Sequence, residues 1–205
     1  MTRHIDYFFT CISPFSYFGH RAFHEVAGRY GARINYRPVR LGEVFASSGA
    51  LPLAQRTPAR QRYRLIELQR IADMRGLPVN LKPAFFPADP SLGDGTVAAL
   101  VLRGEDPFEY LDALYRTVWV DEADIADEAV IASRLAACGF DAGAILAEAK
   151  SDAVGTQIRR NSEDAVAAGA MGSPTYLLNG EPFWGQDRID YLVQALASGR
   201  RPFTA

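Results

Sequence analysis

The chain reads as an α/β protein whose α/β pattern is interrupted by a long helical insert. Three stretches carry that reading. Near the N-terminus, an aromatic-rich apolar run, a serine-proline helix start and a second apolar run give strand, helix, strand. From Gly93 to Lys150 almost every segment is rich in Ala and Leu at helical spacing. The last fifty or so residues then return to a helix, a strand, a tight turn, a short strand and a final helix.

Ile5 to Thr10 is short, mostly apolar and bounded by a turn signal, which suits a buried strand. Ser13 then sits at a helix N-cap, with Pro14 at the first helical position. Phe15, Phe18, Ala22, Val26 and Ala27 continue a helix to Tyr30, and Gly31 supplies the positive φ that ends it. Ile34 to Val39 reads as a second strand, and Gly49 to Leu53 as loop. Pro58 to Arg75 is predicted helical from Tyr63, Leu65, Ile66, Leu68 and Ile71, followed by proline-broken loop through Gly76-Leu77-Pro78 and from Lys82 to Pro90.

Pro107, Asp127 and Asp141 mark helix starts within the insert. Thr156 to Gly169 is predicted helical, Thr175 to Leu178 a strand, and Asn179-Gly180 a type I′ turn. Pro182 to Trp184 is its partner strand, and Gln186 to Leu196 the last helix. The plan is therefore β-α-β, helical insert, α-β-β-α, the element order of a thioredoxin fold. The expected domains are a discontinuous thioredoxin-like unit, 1–45 with 155–205, and an all-helical insert, 46–154.

At 205 residues, 48% hydrophobic and 22% charged, the composition is that of a soluble globular protein. A net charge of −2 gives no global attraction to nucleic acid or anionic lipid. Asp6 breaks the apolar run a signal peptide needs, and no stretch is long enough to span a membrane, so a cytoplasmic location is expected. Cys11 and Cys138 lie far apart, which excludes a C-x-x-C dithiol, a four-cysteine zinc site and a disulfide scaffold.

Two motifs are candidates for chemistry. Ser13-Pro14-Phe15-Ser16 stands at the first strand-helix junction, where a thioredoxin-type C-x-x-C would lie with cysteines in place of both serines. Locally, Ser13 is an ordinary N-cap. The same helix N-terminus also offers free N–H groups and a dipole that favour an anion, including a ligand's thiolate. Gly172-Ser173-Pro174-Thr175 precedes the late strand. A cis proline there would present the Ser173 backbone to an extended ligand, while a trans turn is the plain alternative.

Ser13-Pro-Phe-Ser-Tyr17, Gly172-Ser-Pro-Thr175 and Phe183-Trp-Gly-Gln-Asp-Arg188 together resemble the 2-hydroxychromene-2-carboxylate isomerase family, which belongs with kappa-class glutathione transferases in the DsbA-like group. Tyr115-Arg-Thr-Val-Trp119 and the Gly76-Leu-Pro78 loop extend the resemblance along the chain. It implies a thioredoxin-like fold with a helical insert, glutathione as cofactor, a small aromatic carboxylate as substrate and a homodimer. By the same resemblance Ser13 faces the glutathione sulfur and is the catalytic residue. Ser173, beside cis-Pro174, pairs with the cysteinyl backbone, and Trp184, Gly185, Gln186 and Asp187 hold the γ-glutamyl end. The implied reaction is a ring-opening cis-trans isomerisation, in which the thiolate adds to a conjugated carbon, a bond rotates, and elimination returns the thiolate.

The substrate half departs from the family pattern. Phe45 stands where the family places a lysine, Gln55 where it places an asparagine, and Phe86 where it places a phenol. Gln55, Arg56 and Phe86 are the expected substrate-binding residues, with Arg60 or Arg62 as other replacements for the missing cation. No metal site is expected: His20 and His24 are four apart without a third ligand and read as surface or packing residues. The six arginines between Arg56 and Arg75 read as a solvated face or an anionic-substrate lining, with a nucleic-acid patch as the weaker reading. Cys11 reads as a thiol peripheral to the pocket, and Cys138 as a small buried residue. A glutathione transferase or peroxidase and a non-catalytic peptide binder remain as alternatives.

Overall fold

The structure, a computed structural model, describes residues 3–204. Met1, Thr2 and Ala205, which the expected domain limits include, lie outside the described residues. A four-stranded mixed sheet forms the frame, in the order β2-β1-β3-β4. Strand β1 (Arg3–Phe9) pairs in parallel with β2 (Ala32–Pro38), Tyr7 opposite Tyr36. This parallel pairing needs a crossover, supplied by helix α1 (Pro14–Arg29). Strand β3 (Thr175–Leu178) runs antiparallel to β1 and turns into β4 (Glu181–Trp184). The predicted Asn179-Gly180 turn is formed, with φ of 53° and 87°.

Helix α2 (Leu41–Ser48) follows β2, then α3 (Pro58–Arg75), α4 (Ser91–Leu102), α5 (Phe108–Trp119), α6 (Glu128–Ala137), α7 (Ala142–Ala149) and α8 (Asp152–Ala167). A 3-10 turn at Gln186–Arg188 leads into α9 (Ile189–Ser198). The thioredoxin-like plan is thus observed, with the long helical run between β2 and β3. No helix among the described residues is long and apolar enough to cross a membrane.

Local differences from the sequence reading have simple causes. Helix α2 lies in 40–48, a stretch to which the sequence pattern assigns no element, and the left-handed Gly49 closes it, φ 72°. Helix α8 begins four residues before Thr156, because the Ser151 hydroxyl accepts the Val154 N–H as its cap. The expected limits 45/46 and 154/155 consequently fall inside α2 and α8.

The core is aromatic and continuous from sheet to insert. Tyr7, Phe9, Phe18, Phe23 and Tyr176 are fully or almost fully buried beside Tyr110, Tyr115 and Trp119 of α5. The Tyr7 and Tyr115 hydroxyls meet at 3.0 Å, satisfying two polar groups that burial would otherwise penalise. Helix α1 approaches β3 and the 3-10 turn closely because Gly19 has no side chain. A Cβ there would lie 2.6 Å from the Tyr176 hydroxyl and 2.9 Å from Gln186 Cβ.

Candidate functional site

The end of β1, the start of α1 and the approach to β3 converge on a knot of serines. Ser13 caps α1 as expected: its hydroxyl accepts the Ser16 N–H at 3.2 Å and donates to the Ser173 carbonyl at 3.1 Å. The Ser16 and Ser173 hydroxyls share a hydrogen bond of 2.8 Å, and Thr10 N–H donates to Ser173 Oγ at 3.2 Å. The Ser173–Pro174 peptide is cis, as is Phe86–Pro87. All three serines are buried. Pro14 has no N–H, and the Phe15 N–H finds no acceptor among the described residues, so the α1 N-terminus keeps an open donor.

Behind this loop lies Asp94 of α4, which the sequence reading did not single out. It is buried and accepts Thr10 Oγ1–H at 2.7 Å and Cys11 N–H at 2.8 Å, tying down the two residues before the Ser13 turn. Burial pushes its carboxyl up to about 7, against the opposing hydrogen bonds from Thr10 and Cys11. Cys11 is not at the edge of the pocket. Its sulfur packs over Gly93, where a Cβ would meet it at 2.8 Å, and burial with Asp94 nearby raises its pKa.

Ser13, Ser173, Trp184, Arg56 and Phe86 all line one cavity of about 560 Å³. The structure therefore brings residues of all three predicted motifs together with Arg56 and Phe86 around one cavity. Phe15, Phe45 and Leu53 add apolar wall, and Gln61 and Arg64 of α3 add polar groups. Gln55 is exposed on a short 3-10 turn (Leu53–Gln55) and does not line the cavity. Arg60 and Arg62 are exposed outside it too. Larger hollows of about 850 and 660 Å³ elsewhere on the surface contain none of the predicted site residues.

Gly172 and Trp184 close one side: a Cβ on Gly172 would fall 2.8 Å from Trp184 Nε1. Gly185, at φ 100°, donates its N–H to the Pro174 carbonyl at 2.9 Å, linking the end of β4 to the cis peptide. Gln186 is buried, and its side-chain oxygen accepts two bonds from Arg75, at 2.8 and 3.2 Å. Arg75 also donates to the Gln186 carbonyl at 3.2 Å. Asp187 is exposed and ion-paired to Arg188, while the Gln186 and Asp187 N–H groups have no backbone acceptor among the described residues.

His20 is buried against Phe108, bonded to its carbonyl at 3.0 Å, and burial lowers its pKa to about 4; His24 stacks on the same ring. Both are packing residues. Cys138 is only half-buried, at the C-cap of α6.

The family model for the DsbA-like thioredoxin domain matches residues 4–197. A 2-hydroxychromene-2-carboxylate isomerase from Sphingobium xenophagum is 30% identical over 198 residues, covering 96% of this chain and 99% of that protein. Glutathione S-transferase kappa 1 from Rattus norvegicus is 24% identical, covering 95% and 91%. The solved structure of a 2-hydroxychromene-2-carboxylate isomerase superposes with a TM-score of 0.79 at 24% identity, covering 95% of each chain. The chain belongs to the DsbA-like thioredoxin family, in the group of 2-hydroxychromene-2-carboxylate isomerases and kappa-class glutathione transferases.

Proposed function

We propose that the protein is a glutathione-dependent isomerase of a conjugated aromatic carboxylate, of the 2-hydroxychromene-2-carboxylate type. One observation carries this: the Ser13 cap and the Ser173 turn are hydrogen-bonded in the lining of an apolar cavity whose charged lining residues are both arginines. The names of the relatives at 30% and 24% identity support the isomerase and the glutathione parts respectively.

The residues present fit glutathione. A thiol meets the open donor at the start of α1, and an extended peptide meets Ser173, whose N–H has no backbone acceptor among the described residues. A γ-glutamyl carboxylate meets the open N–H groups of Gln186 and Asp187, and its ammonium the Asp187 carboxylate. Ser13, Ser173, Pro174, Trp184, Gly185, Gln186 and Asp187 would hold the tripeptide. Bound glutathione supplies a thiolate nucleophile that the chain itself lacks at this position.

The chain's own residues do the rest. Ser13 Oγ carries a proton now given to the Ser173 carbonyl, and turning that O–H toward the cavity lets it stabilise negative charge there. The α1 dipole acts in the same direction. Phe15, Phe45, Phe86 and Trp184 form walls that exclude water from a planar substrate, and Arg56 attracts its carboxylate. Ser13 and Ser16 cannot cycle between thiol and disulfide, so the chain supplies no dithiol of its own at this site. A homodimer and a cytoplasmic location belong to the same proposal.

Calorimetry with reduced glutathione tests it, since no binding at millimolar ligand defeats the proposal. With binding established, turnover of hydroxychromene and benzylidenepyruvate acids is followed together with thiol concentration. Isomerisation with no loss of glutathione supports the isomerase. Stable thioether products support instead the transferase reading that the kappa-class relatives favour.

A further inference from the structure

On α3, Leu68 and Ile71 are buried in the core, and Arg64 stands one helical step before them on the same stripe. A leucine would satisfy that stripe. The guanidinium instead enters the cavity wall, 5.4 Å over the Phe86 ring and 5.7 Å over the Trp119 ring. It has neither a salt bridge nor a side-chain hydrogen bond among the described residues. By contrast Arg70 pairs with Glu67, and Arg75 is bound to Gln186. Among the described residues no Asp or Glu lines the cavity.

The one other charged lining residue, Arg56, spends its Nε on the Leu51 carbonyl at 2.8 Å and lies 5.7 Å over the Phe45 ring. Two cations thus share an apolar chamber in which no described residue supplies a counter-charge. Their mutual repulsion adds to burial, which comes first, in lowering the Arg64 pKa to about 10. A half-buried cation with this surrounding is at a disadvantage until an anion meets it.

We propose that Arg64 is the specificity-determining residue of the cavity, the receptor for the substrate's carboxylate, with Arg56 bonding an adjacent oxygen. This rests on the function proposed above and names its substrate class. The flat faces of Phe45 and Phe86 beneath the two guanidinium groups select a planar conjugated acid. A carboxylate offers Arg64 the paired acceptors its fork geometry matches. A neutral electrophile of the same shape leaves both cations unpaired and is rejected.

The test is equilibrium binding of trans-cinnamate and of cinnamamide, its neutral counterpart, to the wild-type protein and to Arg64→Gln and Arg64→Lys. The wild type is expected to prefer the acid roughly tenfold or more. Arg64→Gln cuts that preference to what Arg56 alone supplies and leaves amide affinity unchanged. Arg64→Lys keeps part of the preference, and serves alone where Arg64→Gln does not fold. Equal binding of acid and amide by the wild type overturns the assignment, as does parallel loss of both ligands in the variants, which marks a merely structural arginine. Glutathione calorimetry on the same proteins separates the two proposals. Glutathione binding without an acid preference removes the role of Arg64 alone. An Arg64-dependent acid preference without glutathione binding removes the proposed function and leaves the anion receptor standing.

Discussion

Asp94 should make the protein less stable as pH rises, and Asp94→Asn should abolish that part of the pH dependence. The carboxyl titrates near 3.8 when solvated and is pushed by burial to about 7 in the fold. Between those values the folded chain holds a proton that the unfolded chain has released, so stability falls with increasing pH. Below 3.8 both states are protonated and nothing is lost; above about 7 both are ionised and the whole loss is present. At ~1.4 kcal/mol per pH unit, the three-unit gap amounts to about 4 kcal/mol, a ceiling because donors and water adjust around the charge. Asparagine keeps the geometry: its oxygen accepts the Cys11 N–H, and its amide donates to the Thr10 hydroxyl, which can reverse. Urea unfolding of both proteins at steps from pH 4 to 8 provides the measurement. The stability of Asp94→Asn relative to wild type should rise across that range, since titrations common to both, His20 included, cancel. A difference that stays constant with pH refutes the reasoning.

Three further substitutions probe the same region. Ser13→Ala removes the α1 cap and the donor to Ser173, so it should cost about 1 kcal/mol of stability by urea titration. Turnover should drop while glutathione affinity by calorimetry stays within a fewfold of wild type; unchanged turnover removes Ser13 from the mechanism. Gly19→Ala drives a methyl into the Tyr176 hydroxyl and Gln186, and should destabilise by about 1–3 kcal/mol. A wild-type melting temperature would show that α1 can slide to accommodate it. Arg75→Met deletes three bonds to Gln186, and should cost about 1.5–3 kcal/mol and weaken glutathione binding as the 186–188 turn loosens. Retained affinity in calorimetry separates Arg75 from that turn.

Much of the fold was legible because local signals agree with the global arrangement. Ser13-Pro14 caps a helix in isolation and caps one here; Asn179-Gly180 demands positive φ and receives it. Helix α3 spans the predicted Pro58–Arg75, held by the Thr57 cap at one end and left-handed Gly76 at the other. What failed was local sequence with little contrast. Helix α2 has one buried residue, Val44, and no side-chain cap, so neither periodicity nor a start signal marks it. The last helix begins as a 3-10 turn because Gln186–Arg188 must fit between α1 and α3, a tertiary demand absent from the local pattern.

The site divides along the same line. Ser13 and Ser173 were legible because each sits in a motif with its own backbone reason, a helix cap and a pre-proline turn. Asp94 was not, because Gly93-Asp94-Gly95 has no such local signal; the acid matters only through donors more than eighty residues away. Arg64 was hidden by company, as one of six arginines in twenty residues, with Arg56 favoured by its place in the motif comparison. Yet a signal was present: Arg64, Leu68 and Ile71 fall at i, i+4 and i+7, and a charge on the stripe that continues into a core needs a reason. Gln55, adjacent in sequence to Arg56, lies on a 3-10 turn and does not line the cavity. For a cavity built from several elements, the position of a charge relative to helical periodicity is better guidance than its distance along the chain from a recognised motif.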